Sequence, residues 1–155
     1  MVRSLLIFIT GFIAIFLIDQ AIKSLFLDGF RLYGECISLV LAFNKGVAFS
    51  MFDFLGENLK YIQLAIIIIA IIYILFDREV FQKFSILLGM LFGAGSSNLF
   101  DRFVQEGVVD YVYWHCGFDF AIFNFADVII DIAVVLIIFL SFKENREKKL
   151  NESKK

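Results

Sequence analysis

Asp110 and Asp127 are the two residues of this chain whose type and setting point most directly to chemistry. Neither has a basic residue beside it or one helical turn away. Two carboxylates brought close together cannot both ionise, so they share a proton. One then acts as base on a water while the other protonates the carbonyl or the leaving amine of an amide. Their titration belongs to the pair. Other chemistries have thinner support. Ser50, Ser96 and Ser97 lack a convincing histidine base, and Cys116 beside His115 is adjacent in sequence without thereby forming a dyad. A single histidine and two cysteines, Cys36 and Cys116, match no zinc spacing. No metal and no cofactor are therefore expected.

The two aspartates belong to a wider set. Asp19, Gln20, Lys23, Asn98, Asp101, Arg102, Asp110, Asn124 and Asp127 all fall at or beyond the ends of strongly apolar stretches. Asp19 and Lys23 are four residues apart and share a helix face. Asn98, Asp101 and Arg102 share one in the same way, as do Asn124, Asp127 and Asp131. Such a set either pins helices together or performs a reaction. For Asp19 with Lys23, and for Asp101 with Arg102, the two readings weigh equally. For Asp110 and Asp127 the structural one is weaker.

The elements that must hold these residues are apolar helices. Of 155 residues 61% are hydrophobic and the mean hydropathy is +0.86, where soluble domains are about half apolar. Apolar runs cover residues 5–18, continuing to about 27, then 61–76, 84–100 and 122–142. Each predicts a membrane helix, which needs ~20 residues, so the fold class is a four-helix membrane bundle. A small residue at Gly89, Gly93 and Gly95 lets helices approach closely. The first run follows Arg3 but lacks a small-x-small cleavage site, so it reads as an uncleaved helix rather than a secretory signal.

Orientation follows from the basic residues. Termini on the cytoplasmic side put nine of them there, with five (Lys23, Arg31, Lys45, Lys60, Arg102) outside. The polar set then converges on the outer leaflet, and Asp127 lies about 7 Å down the fourth span. Residues 1–142 form one domain with outer loops 28–60 and 101–121, and 143–155 form a charged cytoplasmic tail that solvates the end of the last helix. In the first loop Ile37, Leu39, Leu41 and Phe43 alternate with period two, as in a strand. Phe52, Phe54, Leu55 and Leu59 predict a short amphipathic helix on the membrane surface. In the second loop, residues 108–114 and 118–123 read as a hairpin about His115-Cys116-Gly117, with Tyr111, Tyr113 and Trp114 in the interfacial aromatic belt. Cys36 and Cys116 both fall outside, where a disulfide and a pair of buried thiols are both open. The net charge of −2 gives no reason to expect a nucleic-acid partner.

With these residues the chain resembles lipoprotein signal peptidase, also called signal peptidase II. The resemblance runs through five blocks: Asp19-Gln20-x-x-Lys23, Asn44-x-Gly46-x-Ala48-Phe49-Ser50, Asn98-x-x-Asp101-Arg102, Val109-Asp110-Tyr111 and Phe123-Asn124-Phe125-Ala126-Asp127. It implies four transmembrane helices with a small extracytoplasmic sheet. It implies an aspartyl dyad, Asp110 and Asp127, that removes the signal peptide from prolipoproteins before a diacylglyceryl-modified cysteine. Asn44, Gly46, Asn98, Arg102, Asn124 and Ala126 match positions that line and brace the substrate site, and Asp19, Lys23 and Asp101 match positions that hold the structure. The choice of Asp110 over Asp101 as catalytic rests mainly on this resemblance. The partners implied are a diacylglyceryl-prolipoprotein and membrane lipid, with the protein a monomer in the bacterial inner membrane.

Two departures from the family pattern stand out. Ala94 and Ser97 replace glycines in Gly93-Ala94-Gly95-Ser96-Ser97-Asn98, and Asp131 replaces a small hydroxyl residue. Asp131 is expected to hydrogen-bond within the bundle, or else to tune the dyad. Rival functions are a proton or ion conductor and a non-enzymatic assembly factor. A conductor needs polar steps across the membrane, and the second run offers only Gln63.

Overall fold

The computed structural model describes residues 1–46, 53–105 and 107–152. Four long helices and two strands follow the order α1 (Val2–Leu27), β1 (Ile37–Asn44), α2 (Asn58–Phe76), α3 (Arg78–Val104), β2 (Val108–Trp114) and α4 (Phe125–Glu152). No proline interrupts the chain, so the ends of the helices are set by caps. After α1, Gly29 takes φ 101°, and its N–H bonds Phe26 O while that of Phe30 bonds Leu25 O. This is the paired bonding of a Schellman turn, and the Phe26 and Phe30 rings meet across it at 5.6 Å. Between α2 and α3 a single residue makes the reversal: Asp77 ends one helix and caps the next by accepting from Val80 N at 3.1 Å.

The helix α3 is central, packing on α1, α2 and α4. Its glycines decide how close α1 comes. A Cβ on Gly89 would lie 2.4 Å from Phe8 O, and one on Gly93 would lie 2.5 Å from Phe12 O. The two backbones therefore touch along one turn of each helix, where dispersion and weak hydrogen bonds act without a hydrophobic driving force. Gly95 meets only the tip of Ile67 at 3.9 Å and has no such role. On α1 the buried residues Gly11, Ile15, Asp19, Lys23 and Phe26 form one stripe against this contact.

Three of the four expected spans, α1, α2 and the part of α4 from Phe125 to Leu150, are long and apolar enough to cross a membrane. The third run also forms a helix, longer at both ends than expected, but it is less apolar. Packed on by the other three, it meets protein on much of its surface, and buries Ser85, Ser97, Asn98 and Asp101. At the other end of the chain, α4 passes residue 142 without a break, tied to α3 by Glu144 with Lys83.

The two loops expected to lie outside depart from the sequence expectation in three ways. First, β2 takes β1 as its antiparallel strand partner, and residues 118–123 form no second strand of a hairpin; they return along the other side of β2 through Phe120, whose N–H bonds Trp114 O, and Phe123, which bridges Val112. Second, β1 carries a bulge between Leu39 and Ala42. Leu39 faces Val112 and Ala42 faces Asp110, so the alternation through Leu41 and Phe43 is broken, and Ala42 and Asn44 join the face of Ile37 and Leu39. Third, among the described residues the expected amphipathic helix is represented by a 3₁₀ turn, Asp53–Leu55, with Phe54 exposed and Leu59 already buried in α2; Phe52 lies outside the described residues. Cys36 and Cys116 are joined in a disulfide across the open end of the sheet.

Candidate active site

The site begins with a cap. Asn124 precedes the first turn of α4, and its Oδ1 accepts from Asp127 N at 2.9 Å while Asp127 Oδ2 accepts from Asn124 N at 3.0 Å. This reciprocal capping box satisfies two backbone donors of the helix start, and the positive end of the helix dipole favours a negative Asp127. Asp127 is thus the third residue of α4, shallower than a span starting at residue 122 suggested. Its other oxygen accepts from Asn98 Nδ2 of α3 at 2.8 Å.

Asp110 arrives from β2. Its side chain is buried, accepting from Asn124 Nδ2 at 2.7 Å and from Asn44 Nδ2 at 3.1 Å. Asn44 stands on Asp110's face of the sheet because of the β1 bulge. One asparagine, Asn124, therefore bonds both carboxylates, and its Nδ2 also reaches Asn98 Oδ1 at 3.1 Å. Burial first, and the nearby charge of Asp127 second, push the Asp110 carboxyl up to about 7, against the opposing pull of the Asn44 and Asn124 amides. Both aspartates line a cleft of about 550 Å³ that combines polar side chains (Asn44, Asn98, Arg102) with apolar ones (Ile62, Ile66, Ile130).

Behind the pair lies a second cluster built on Lys23, which is 1% exposed. Its Nζ meets Asp19 Oδ2 at 2.6 Å, Asp101 Oδ2 at 2.7 Å and Asn98 Oδ1 at 2.7 Å. Asp19 also accepts from Ala126 N at 3.0 Å, and Asp101 from Val109 N at 3.1 Å. The cluster therefore fixes the backbone beside each member of the pair. Ala126 is wholly buried in this junction. Asp101 does not pair with its neighbour Arg102: helical geometry sends Asp101 inward to Lys23, while Arg102 bonds Gln63 Oε1 at 3.0 Å, Lys45 O at 3.2 Å and Gly46 O. Arg102 and Asn44, whose Oδ1 accepts from Gly46 N at 3.0 Å, together hold Gly46 and the exit of β1. Ala48, Phe49 and Ser50 of the same block lie outside the described residues.

Several contributors were not identified from sequence. Ser97, one of the two departures from glycine, is fully buried; it donates to Asp19 Oδ2 at 2.7 Å and accepts from Gln20 Nε2 at 2.9 Å. Its hydroxyl adds a donor where glycine has none. Tyr111 was expected at the interface but is buried, stacked on Phe26 at 4.2 Å with its hydroxyl accepting from Phe125 N. The alternation of strand residues gives that signal, since Asp110 and Tyr111 point to opposite faces and β2 is buried on both. Asp131, expected to bond within the bundle, makes no hydrogen bond or ion pair to a described residue and lines the cleft instead. Ser38 Oγ does meet His115 Nε2 at 3.0 Å, but this pair sits beside the disulfide, away from the cleft. Among the described residues no group of three or more His, Cys, Asp or Glu side chains is arranged to hold a metal.

The chain is similar to known proteins over most of its length. The sequence model of the family described as signal peptidase (SPase) II matches residues 11–143. The lipoprotein signal peptidase of Sulfurimonas denitrificans is 56% identical over 142 residues, 92% of each chain. That of Helicobacter pylori strain P12 is 52% identical over 149 residues, 96% of this chain and 95% of the other. A bacterial membrane enzyme solved by the in meso method superposes with a TM-score of 0.74 at 25% identity, covering 96% of this chain and 92% of that one.

Proposed function

This chain belongs to the signal peptidase II family, and we propose that it is an aspartic endopeptidase cutting diacylglyceryl-modified prolipoproteins just before the lipidated cysteine. The observation that carries the reading is the pair itself: Asp110 and Asp127 on one cleft, bridged by Asn124, with no cation hydrogen-bonded to either among the described residues. In the resting pair Asp110 holds the shared proton, in keeping with its raised pKa, and Asp127 is the carboxylate, supported by Asn98 and the start of α4.

Asp127 takes a proton from a water, whose oxygen attacks the scissile carbonyl carbon. Asp110 gives its proton to the carbonyl oxygen, producing a neutral tetrahedral diol. Collapse breaks the carbon–nitrogen bond: the nitrogen receives the proton held by Asp127, and a diol hydroxyl returns one to Asp110. A carboxylic acid and an amine leave, and the pair is restored. No metal or cofactor enters the scheme.

The four helices span the inner membrane as one domain with both termini in the cytoplasm, and the pair works as a monomer at the outer face. The diacylglyceryl group stays in the bilayer and holds the scissile bond at the depth of the pair. Each buried CH₂ contributes ~0.8 kcal/mol, and a fixed near-attack geometry lets the carboxylates act. The test compares one prolipoprotein with and without the diacylglyceryl group in the same detergent. Cleavage of the lipidated form alone, before the cysteine, is expected. Equal rates would mean a general membrane peptidase, and no cleavage of either would remove the reading.

A further inference from the structure

The cleft that holds the paired aspartates is lined further by Ile62, Gln63 and Ile66 of α2 and by Ile130 of α4, and by one more acid, Asp131. It is four residues beyond Asp127, so it projects from the same side of α4, ~6 Å deeper along the axis at 1.5 Å per residue. Its side chain is exposed to the cleft and bonded to no described residue. A carboxyl at such a depth is costly unless it meets a polar partner, and the bundle supplies none among its described residues.

A peptide substrate would supply one. A scissile carbonyl inside a helix is hydrogen-bonded and shielded, so the chain must be unwound where the pair attacks it. The signal segment, N-terminal to the cut, runs back down into the membrane past Asp131. Its unwound turn carries backbone N–H groups with no helical acceptor, and in hydrocarbon each is costly. An extended chain advances ~3.3 Å per residue, so 6 Å is about two residues. Resting on the peptidase reading above, we infer that Asp131 accepts a hydrogen bond from the substrate backbone N–H about two residues upstream of the scissile bond. It is a positioning residue, not a third member of the catalytic pair. A carboxyl oxygen can accept in either protonation state, so the contact does not require Asp131 to be charged.

The experiment uses the full-length protein in detergent with lipidated prolipoprotein. It compares wild type, Asp131→Ser and Asp131→Leu on the normal substrate and on substrates in which one backbone amide, one to four residues upstream of the cut, is replaced by an ester. Thermal unfolding checks that the variants fold. Asp131→Leu should raise KM about tenfold with kcat within about twofold, the signature of lost ground-state binding. Asp131→Ser, whose hydroxyl can also accept, should stay near wild type. One ester position should raise the wild-type KM equally and add nothing in Asp131→Leu. Additive effects at every position, or a fall in kcat alone, would overturn the inference while leaving the peptidase intact. Failure of the wild type to cut the lipidated substrate would instead overturn the peptidase reading, and this inference with it.

Discussion

Four buried or half-buried aspartates lie within one network of this protein, and they fall into two pairs that differ in a single respect. Asp19 and Asp101 share an ammonium, Lys23, held between them at 2.6 and 2.7 Å. Asp110 and Asp127 share a residue, Asn124, whose side-chain amide donates to Asp110 and whose backbone N–H donates to Asp127, neither carrying charge. A cation between two carboxylates offsets their negative charge, and their remaining lone pairs accept from the backbone N–H groups of Ala126 and Val109. An amide cannot neutralise the second charge, so that pair must keep a proton. One pair is therefore held as a brace and the other is, on the proposed function, the reagent, although the residue type is the same.

The strongest way to break this contrast is to remove one acid from each pair. Asp110→Asn and Asp127→Asn should each lower cleavage by ~10²–10⁴-fold or more, the usual worth of an acid–base group, with little change in thermal unfolding. Activity and unfolding measured on the same preparations would decide it, and near wild-type activity in either variant would remove that residue from the pair. On the other side, Lys23→Met leaves Asp19 and Asp101 buried without their cation. Removing one partner of a buried ion pair costs about 3–5 kcal/mol, so denaturant titration should show a large loss of stability, and activity should fall because the backbone at Val109 and Ala126 is freed.

Smaller effects sharpen the comparison. Ser97→Ala removes one hydrogen bond to a charged group, worth about 1.5–3 kcal/mol, and should lower stability while cleavage at low temperature is kept. The smallest effect concerns pH. Asp110 holds its proton up to about 7, whereas an ordinary carboxyl loses it near 3.8. The folded state thus binds the proton more tightly, so this group's contribution to stability is full below about 4 and is lost as pH rises to about 7. The pH profile of kcat/KM should fall on its alkaline side near 7. The Asn44 amide holds that value down, so Asn44→Ala should move the limb to higher pH; movement to lower pH would contradict the proposed order of proton loss.

The sequence determined whatever depends on local periodicity and on motifs. Apolar runs define the helices because length and greasiness act along the chain, and the pairing of Asp19 with Lys23 follows from one helical turn. Asn124 and Asp127 carry the spacing of a capping box, but hydropathy put the start of the fourth span near residue 122, and the cap sets it at Phe125. Tertiary structure alone decided the rest, because it turned on which surfaces meet. Arg102 and Asp101 are neighbours in sequence, yet one faces α2 and the exit of β1 and the other faces α1. Strand period could not foresee the β1 bulge, because one extra residue changes the face of everything after it, Asn44 included. The union of Cys36 with Cys116, 80 residues apart, required β1 and β2 to pair across two loops. Residue spacing grouped the acids and the family resemblance divided them, but the physical basis of the division is tertiary: the packing of α1 against α3, through Gly89 and Gly93, brings Lys23 to Asp101, while Asp110 and Asp127 meet the uncharged amides of Asn124.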